Sequence, residues 1–223
     1  MPDIDKFFAA IKAGEIETVE AALQADPALA NARGPQGLSA LMMALYNQQP
    51  KIAEVIKAKA KDLDIFEASA AGNERRVITL LAGDPELAKA VSPDGFGALG
   101  LAAFFGHAGV MQILLKAGAD PDAPSRNQMK VTPLHSAVAN RDGACALKMA
   151  HLLLAHRAAV NVAQNGGWTP LQQAAAHGNI ELVKLLLENG ADRLAKADDG
   201  RTAATLARSG HHQAVAELLE KPA

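Results

Sequence analysis

The chain has 223 residues, 49% hydrophobic and only 4% aromatic, with a formal net charge of −2. That length suits one large domain or two small ones, and the near-neutral balance excludes the global basic field that nucleic-acid binding calls for. Its single cysteine, Cys145, rules out an internal disulfide and fits a reducing, cytoplasmic compartment.

The opening MPDIDKFFAA has early acids and no basic segment before an apolar core, so no secretory signal is expected. Phe7 and Phe8 head a helical unit over residues 4–34 and should lock it onto the next. A second unit, 35–63, carries GLSALMMA (37–44) and ends in KAKAKDLD, three lysines at a helix C-terminus where the macrodipole favours cations. In the third, 64–92, AGNERRVITLLAGDPELA lies over the earlier AGEIETVEAALQADPALA. Gly14 and Gly72, Asp26 and Asp84, and Gly37 and Gly95 are each 58 apart, which marks a duplicated pair of units.

The fourth unit, 93–125, holds GFGALGLA (95–102) and VMQILLKAGAD. Its run from Gly95 to Leu115 lacks Asp, Glu, Lys and Arg, yet Gly106 splits it into two short amphipathic halves, unlike a bilayer span of about 20 apolar residues. The fifth, 126–163, contains KVTPLHSA (130–137), and two insertions fall at 123–130 (APSRNQMK) and 140–147 (NRDGACAL). They read either as functional surface loops or as drift. The sixth, 164–196, contains GWTPLQQA and ELVKLLLENGAD. The last, 197–221, contains GRTAATLA and closes on a thin apolar stripe beside Arg208, His211, His212, Glu217, Glu220 and Lys221, the polar outer face that the end of a stack requires.

The sixth unit shows the local logic. Thr169 caps a helix, Pro170 takes the first helical position where its missing N–H costs nothing, and Leu171, Ala174 and Ala175 make a narrow apolar face. His177-Gly178 breaks that helix. Ile180, Val183, Leu186 and Leu187 recur at helical spacing in a second helix, which Gly190 stops. Each unit is thus helix, turn, helix and a projecting finger, and it buries its apolar face only by stacking.

TPLHSA at 132–137, TPLQQA at 169–174 and a period near 33 residues resemble the ankyrin-repeat family, with about seven units covering nearly the whole chain as one domain. The resemblance implies an all-α superhelical solenoid with short β-hairpin-like fingers. It also implies a partner protein held on the concave side, by finger tips and by the exposed face of each first helix. The slots so defined hold Leu38, Phe96, Val131, Trp168 and Arg201 on the fingers, and Tyr46-Asn47, Phe104-Phe105, Ala139-Asn140 and Ala176-His177 on the helices. Met129 lies in the longest finger. Five of the eight aromatics, Tyr46, Phe96, Phe104, Phe105 and Trp168, occupy slots that the stack does not need, while Phe7, Phe8 and Phe66 fall at buried-looking positions. An aromatic stripe is what an interface core requires, although such rings can also pack on a neighbouring finger.

Chemistry is sparse. His135 belongs to the TPLH motif, and the resemblance implies that it bonds backbone between units. His107 and His177 flank turns, and His151 and His156 are five apart, off the spacing that puts two ligands on one helix face. No phosphate-cradling loop is present. Neither catalytic residues, a cofactor nor a metal is expected. The reading is a non-catalytic, monomeric protein-binding module with no nucleic-acid or membrane partner, since Arg126 and Lys130 alone make a poor basic footprint. The alternatives are a self-associating structural protein using the stripe or the Phe7-Phe8 end, and an enzyme centred on Cys145, His151 and His156.

Overall fold

A computed structural model describes residues 3–34 and 37–221; the expected start of the second unit, at position 35, lies outside them. Fourteen α-helices follow in order: α1 (Ile4–Ala13), α2 (Ile16–Ala25), α3 (Ala40–Tyr46), α4 (Pro50–Lys59), α5 (Ile65–Ala70), α6 (Glu74–Gly83), α7 (Ala98–Phe105), α8 (Ala108–Lys116), α9 (Pro133–Val138), α10 (Gly143–Ala155), α11 (Pro170–Ala176), α12 (Ile180–Glu188), α13 (Ala203–Ser209) and α14 (Gln213–Glu220). Each odd-numbered helix packs on the even one that follows it and on the odd ones before and after it, giving an inner row. The even helices α6, α8, α10, α12 and α14 form an outer row, with α2 against α4. This is the all-α solenoid implied by the sequence.

The inner row is possible because its contact positions are small. Ala44, Ala68, Ala98, Ala102, Ala137, Ala174, Ala175 and Ala207 have no exposed surface, so neighbouring helices meet almost backbone to backbone, with Leu41, Leu134 and Leu171 filling between them. The inner helices begin with caps written in the sequence. Ser39 Oγ accepts from Met42 N, Asp64 Oδ1 from Phe66 N and Glu67 N, and Thr169 Oγ1 from Gln172 N while Gln172 Oε1 accepts from Thr169 N at 2.7 Å. At the first end, Phe7 and Phe8 are buried and meet edge to face at 5.9 Å, so the start of the chain is sealed onto α3.

Two elements were not foreseen. The Asp-Pro sequences at 26–27 and 84–85 each begin a 3-10 helix (Pro27–Asn31 and Pro85–Lys89), with Asp26 and Asp84 accepting from the N–H two residues on. The uncharged run from Gly95 to Leu115 is indeed broken at Gly106, and among the described residues no helix is long and apolar enough to cross a membrane.

The turn between paired helices uses left-handed backbone. Gly178 has φ +72° and a Cβ there would lie 2.3 Å from His212 Nδ1, whereas Gly190, with φ +84° at the end of α12, faces open space. Alanine at Gly190 should cost about 1 kcal/mol, the left-handed penalty alone, and alanine at Gly178 distinctly more, because His212 must also move. Urea denaturation midpoints of the two variants check that order; equal losses would refute it.

Candidate functional site

The fingers that project from the inner row are short turns, two of them reaching a β-bridge (Arg33 with Ser39, Val91 with Gly97). Their closing bonds repeat: Gly34 N to Leu38 O, Ser92 N to Phe96 O, Gln164 N to Trp168 O and Ala197 N to Arg201 O, all at 2.9 Å. In the inserted finger the bond runs from Ser125 N to Val131 O. Neighbouring fingers are tied by backbone bonds, Arg126 N to Gly95 O, Asn165 N to Met129 O and Asp198 N to Gly166 O. The segment between α4 and α5 carries no such finger, so the finger at 92–96 lies directly against the one at 34–38, with Pro93 beside Gly37.

Large side chains fill the space that the missing finger leaves. Met42, Ala70 and Leu101 are buried in a cluster separate from the main core, packed over by Leu38, Leu45, Tyr46, Phe66, Phe96 and Phe105. Tyr46 and Phe105 have ring centroids 5.7 Å apart, and Phe104 meets Phe105 edge to face at 5.1 Å. The Tyr46 hydroxyl donates to Asp94 Oδ2 at 2.8 Å, joining α3 to a finger 48 residues on. Burial, then the Asp94 carboxylate, raise the tyrosine pKa far above its ordinary value, so the ring stays neutral.

Two adjoining clefts open on this floor. One, of about 230 Å³, is lined by Tyr46, Phe96, Leu101, Phe104, Met129 and Gln173 among others. The second, of about 480 Å³, shares Tyr46, Phe104, Ala139 and Gln173 and adds Phe105, Arg141 and His177. Side chains of α3 and α11 line the same cleft although α5, α7 and α9 stack between them, so this face curves inward. One repeated position bears on the smaller cleft. Three residues after their helix caps, α9 and α11 place His135 and Gln172, which reach the next finger, with His135 Nε2 donating to Trp168 O at 3.0 Å and Gln172 Nε2 to Arg201 O at 3.0 Å. At the same place α7 has Gly100, which lines both this cleft and an adjoining hollow of about 240 Å³ bounded by its own cap Gly97 and by Ser125 and Val131 of the next finger. Gln173 Oε1 is enclosed and has no hydrogen-bond donor.

Of the residues expected to meet a partner, the structure brings Tyr46, Phe96, Phe104, Phe105, Met129 and His177 together, with Phe104 39% and Met129 56% exposed. Leu38 packs at the edge of the floor cluster. Trp168 and Arg201 stand apart from both clefts. The Arg201 guanidinium lies 5.4 Å from the Trp168 ring centroid and is paired with Asp199 at 2.6 Å. Phe66, expected in the core, is only half-buried and joins the aromatic floor; here the unit is one residue short, since Asp64 precedes Gly72 by eight residues where Thr169 precedes Gly178 by nine. Asn47 and Asn140 are bound to backbone, at Met43 O and Phe104 O. The sequence reading missed Gly100, Leu101 and Gln173. A glycine where two other units carry His and Gln was the available signal for the first.

The remaining polar groups serve the stack. His135 Nδ1 accepts from Thr132 N–H and Oγ1–H, at 3.3 and 2.8 Å, and Nε2 donates to Trp168 O, so the ring bridges two units as a neutral tautomer. Desolvation lowers its pKa against the opposing pull of the Trp168 carbonyl. His107 Nε2 bonds Ala70 O and His212 Nε2 bonds Ala176 O, each tying a turn to the preceding one. Cys145 Sγ does the same at Gly106 O, 3.7 Å away, and burial pushes its thiol pKa up, opposite to the shift an activated nucleophile needs. Among the described residues no three His, Cys, Asp or Glu side chains are grouped to hold a metal ion.

A stack of helix pairs tied through fingers and inter-turn bonds is the class of protein that this geometry defines. The family model for ankyrin repeats, three copies in length, matches residues 65–164 and 142–223. The chain belongs to the ankyrin-repeat family. It is 33% identical over 140 residues to ankyrin repeat and SAM domain-containing protein 6 of Mus musculus, covering 63% of this chain and 12% of the relative. It is 38% identical over 109 residues to ankyrin repeat and SOCS box protein 3 of Bos taurus (49% and 20%), and 31% identical over 194 residues to neurogenic locus notch homolog protein 2 of Homo sapiens (73% and 7%). The chain thus spans a fifth or less of these relatives' length. Ankyrin repeats are generally protein–protein interaction modules.

The depressed pKa of His135 has a consequence for stability. The unfolded chain, with its His near 6.5, takes up a proton before the folded one does. Stability is therefore complete above pH 6.5 and lost as pH falls through the window between that value and the lowered folded pKa. His107, also lowered by desolvation, adds to the same slope. Replacing His135 by Gln, the residue that α11 uses in its place, should leave stability at pH 7.5 within about 1 kcal/mol and flatten the loss between pH 7 and 5.5. Thermal melts of both proteins across that range measure it; an unchanged slope would remove His135 as its source.

Proposed function

We propose that the chain is a non-catalytic module, a single domain of seven units over residues 4–221, that holds a partner protein on its inner face. The observation that carries this reading is the pair of joined clefts floored by Tyr46, Phe96 and Phe105 and bordered by the solvent-exposed Phe104 and Met129. Leaving the exposed parts of two large apolar groups wet forfeits burial energy of about 25 cal/mol per Å². Aromatic side chains in such a hollow are the usual source of binding energy at protein interfaces. Leu38 at one edge and the Trp168–Arg201 pair at the other extend the contact surface, and His177 closes the wider cleft. Burial of both Phe7 and Phe8 favours this reading over self-association through those rings. We read the protein as monomeric and cytoplasmic, with no cofactor and no nucleic-acid or membrane partner.

Phe104→Ala, alone and with Met129→Ala, should preserve the fold, since both side chains are largely outside the core. Each variant should cut recovery of partners captured from a lysate of the native host. Loss of about 2 kcal/mol per anchor corresponds to a fall of roughly thirty-fold in affinity. Recovery equal to wild type from both variants, with unchanged far-UV circular dichroism, would reject the inner face as the docking surface.

A further inference from the structure

We infer that the occupant of the clefts is an acidic peptide segment bearing aromatic or aliphatic anchors; this rests on the reading of the inner face as a protein-docking surface. The residues lining the two clefts include one permanent cation, Arg141, two histidines, His135 and His177, of which His135 is held between Thr132 and Trp168 O, and no carboxylate. The nearby Asp94 is already engaged, with Oδ2 accepting from the Tyr46 hydroxyl and Oδ1 from Ser92 Oγ. Lys130 stands in the chain between Met129 and Val131, both of which line the smaller cleft, and Arg126, at the other side of the same finger, lines a further hollow adjoining it. Among the described residues neither Arg126, Lys130 nor Arg141 forms an ion pair. On the finger at 197–201, by contrast, Arg201 is held by Asp199.

These features divide the work of recognition. The floor of Tyr46, Phe96, Leu101 and Phe104 asks for apolar side chains and offers a free inorganic anion nothing. The cations at the ends, which form no ion pair among the described residues, ask for carboxylates. Charges so placed steer association and select against basic partners more than they add affinity. Gly100 borders both the cleft and the adjoining hollow, and a Cβ added there would meet Ser136 Oγ at 3.6 Å, an ordinary contact. Gly100→Gln therefore fits the helix and places in that shared space the side chain that α11 carries at the equivalent position.

The test is selection of a random twelve-residue peptide library, displayed on phage, against the full chain, with Gly100→Gln and Arg141→Glu variants of matched thermal stability as comparators. Enriched peptides should be net acidic and carry Trp, Phe or Leu, and should be lost on Gly100→Gln. A synthetic copy of one of them, titrated by fluorescence anisotropy, should bind Arg141→Glu roughly five- to ten-fold more weakly than wild type, with the difference shrinking at high salt. Enrichment of neutral or basic peptides that Gly100→Gln still excludes would overturn the charge inference and leave the docking reading standing. Enrichment indifferent to Gly100→Gln would overturn both. Failure to enrich any peptide would overturn the inference, with the capture experiment on Phe104 then deciding the docking reading alone.

Discussion

No inner helix of this protein can stand alone. α5 and α9 have six residues each, α3, α11 and α13 seven, and the longest inner helix, α1, ten. Isolated helices shorter than about 12 residues are marginal in water even with favourable sequences. Each must therefore gain its stability from the helices on either side, and the contact has to be close to be worth enough. That is why alanine occupies the packed positions between neighbouring inner helices, with buried Phe, among the described residues, only on the end helix α1. The rings of α3 and α7 sit instead at the finger-side edge of the row.

Within that constraint, one position decides how much of the inner face is closed. It lies three residues after the cap of each inner helix. His135 and Gln172 fill it with side chains that reach the cap N–H behind them and the finger carbonyl ahead. Both satisfy buried backbone groups and join one unit to the next. Thr205, in the last helix pair described, bonds back to Thr202. Gly100 does neither, and it borders a hollow. A hollow in a close-packed wall loses dispersion contacts around its lining, and α7 meets that loss while packed between α5 and α9 in the inner row and against α8 behind it.

Much of this was legible from sequence because it is local. The caps at Ser39, Thr132 and Thr169, the break at Gly106 and the bridge made by His135 involve residues close together in the chain or repeated at a fixed period. What sequence could not supply were relations across units. The partner of Tyr46 is Asp94, 48 residues away, and it is reached only because a finger is absent between α4 and α5. In the unit that is one residue short, Phe66 is half-buried and joins the aromatic floor. Trp168 falls in the right register for the stripe, yet its ring is drawn to Arg201 rather than to Phe104, a lateral displacement that a one-dimensional pattern does not encode. The 3-10 helices had a signal, Asp-Pro followed by a small apolar run, that repeats 58 residues apart.

The inserted finger gives the strongest indication that the hollow is not slack packing. Its tip is held by Ser125 Oγ to Val131 N at 2.9 Å, Asn127 Oδ1 to Met129 N at 3.0 Å and Asn127 Nδ2 to Asp94 O at 3.0 Å. Lys130 adopts φ +51°, a left-handed conformation that costs a non-glycine residue on the order of 1 kcal/mol. A finger with no role beyond spanning two helices would relax to a shorter turn like those at 164–168 and 197–201, which close without a positive-φ side chain other than glycine. Here the extra residues and the strained backbone hold Met129, exposed, over the cleft that Gly100 borders. Two departures from the repeat, one that removes a side chain and one that adds a loop, converge on the same few ångströms of surface, and drift in either alone would not bring them together.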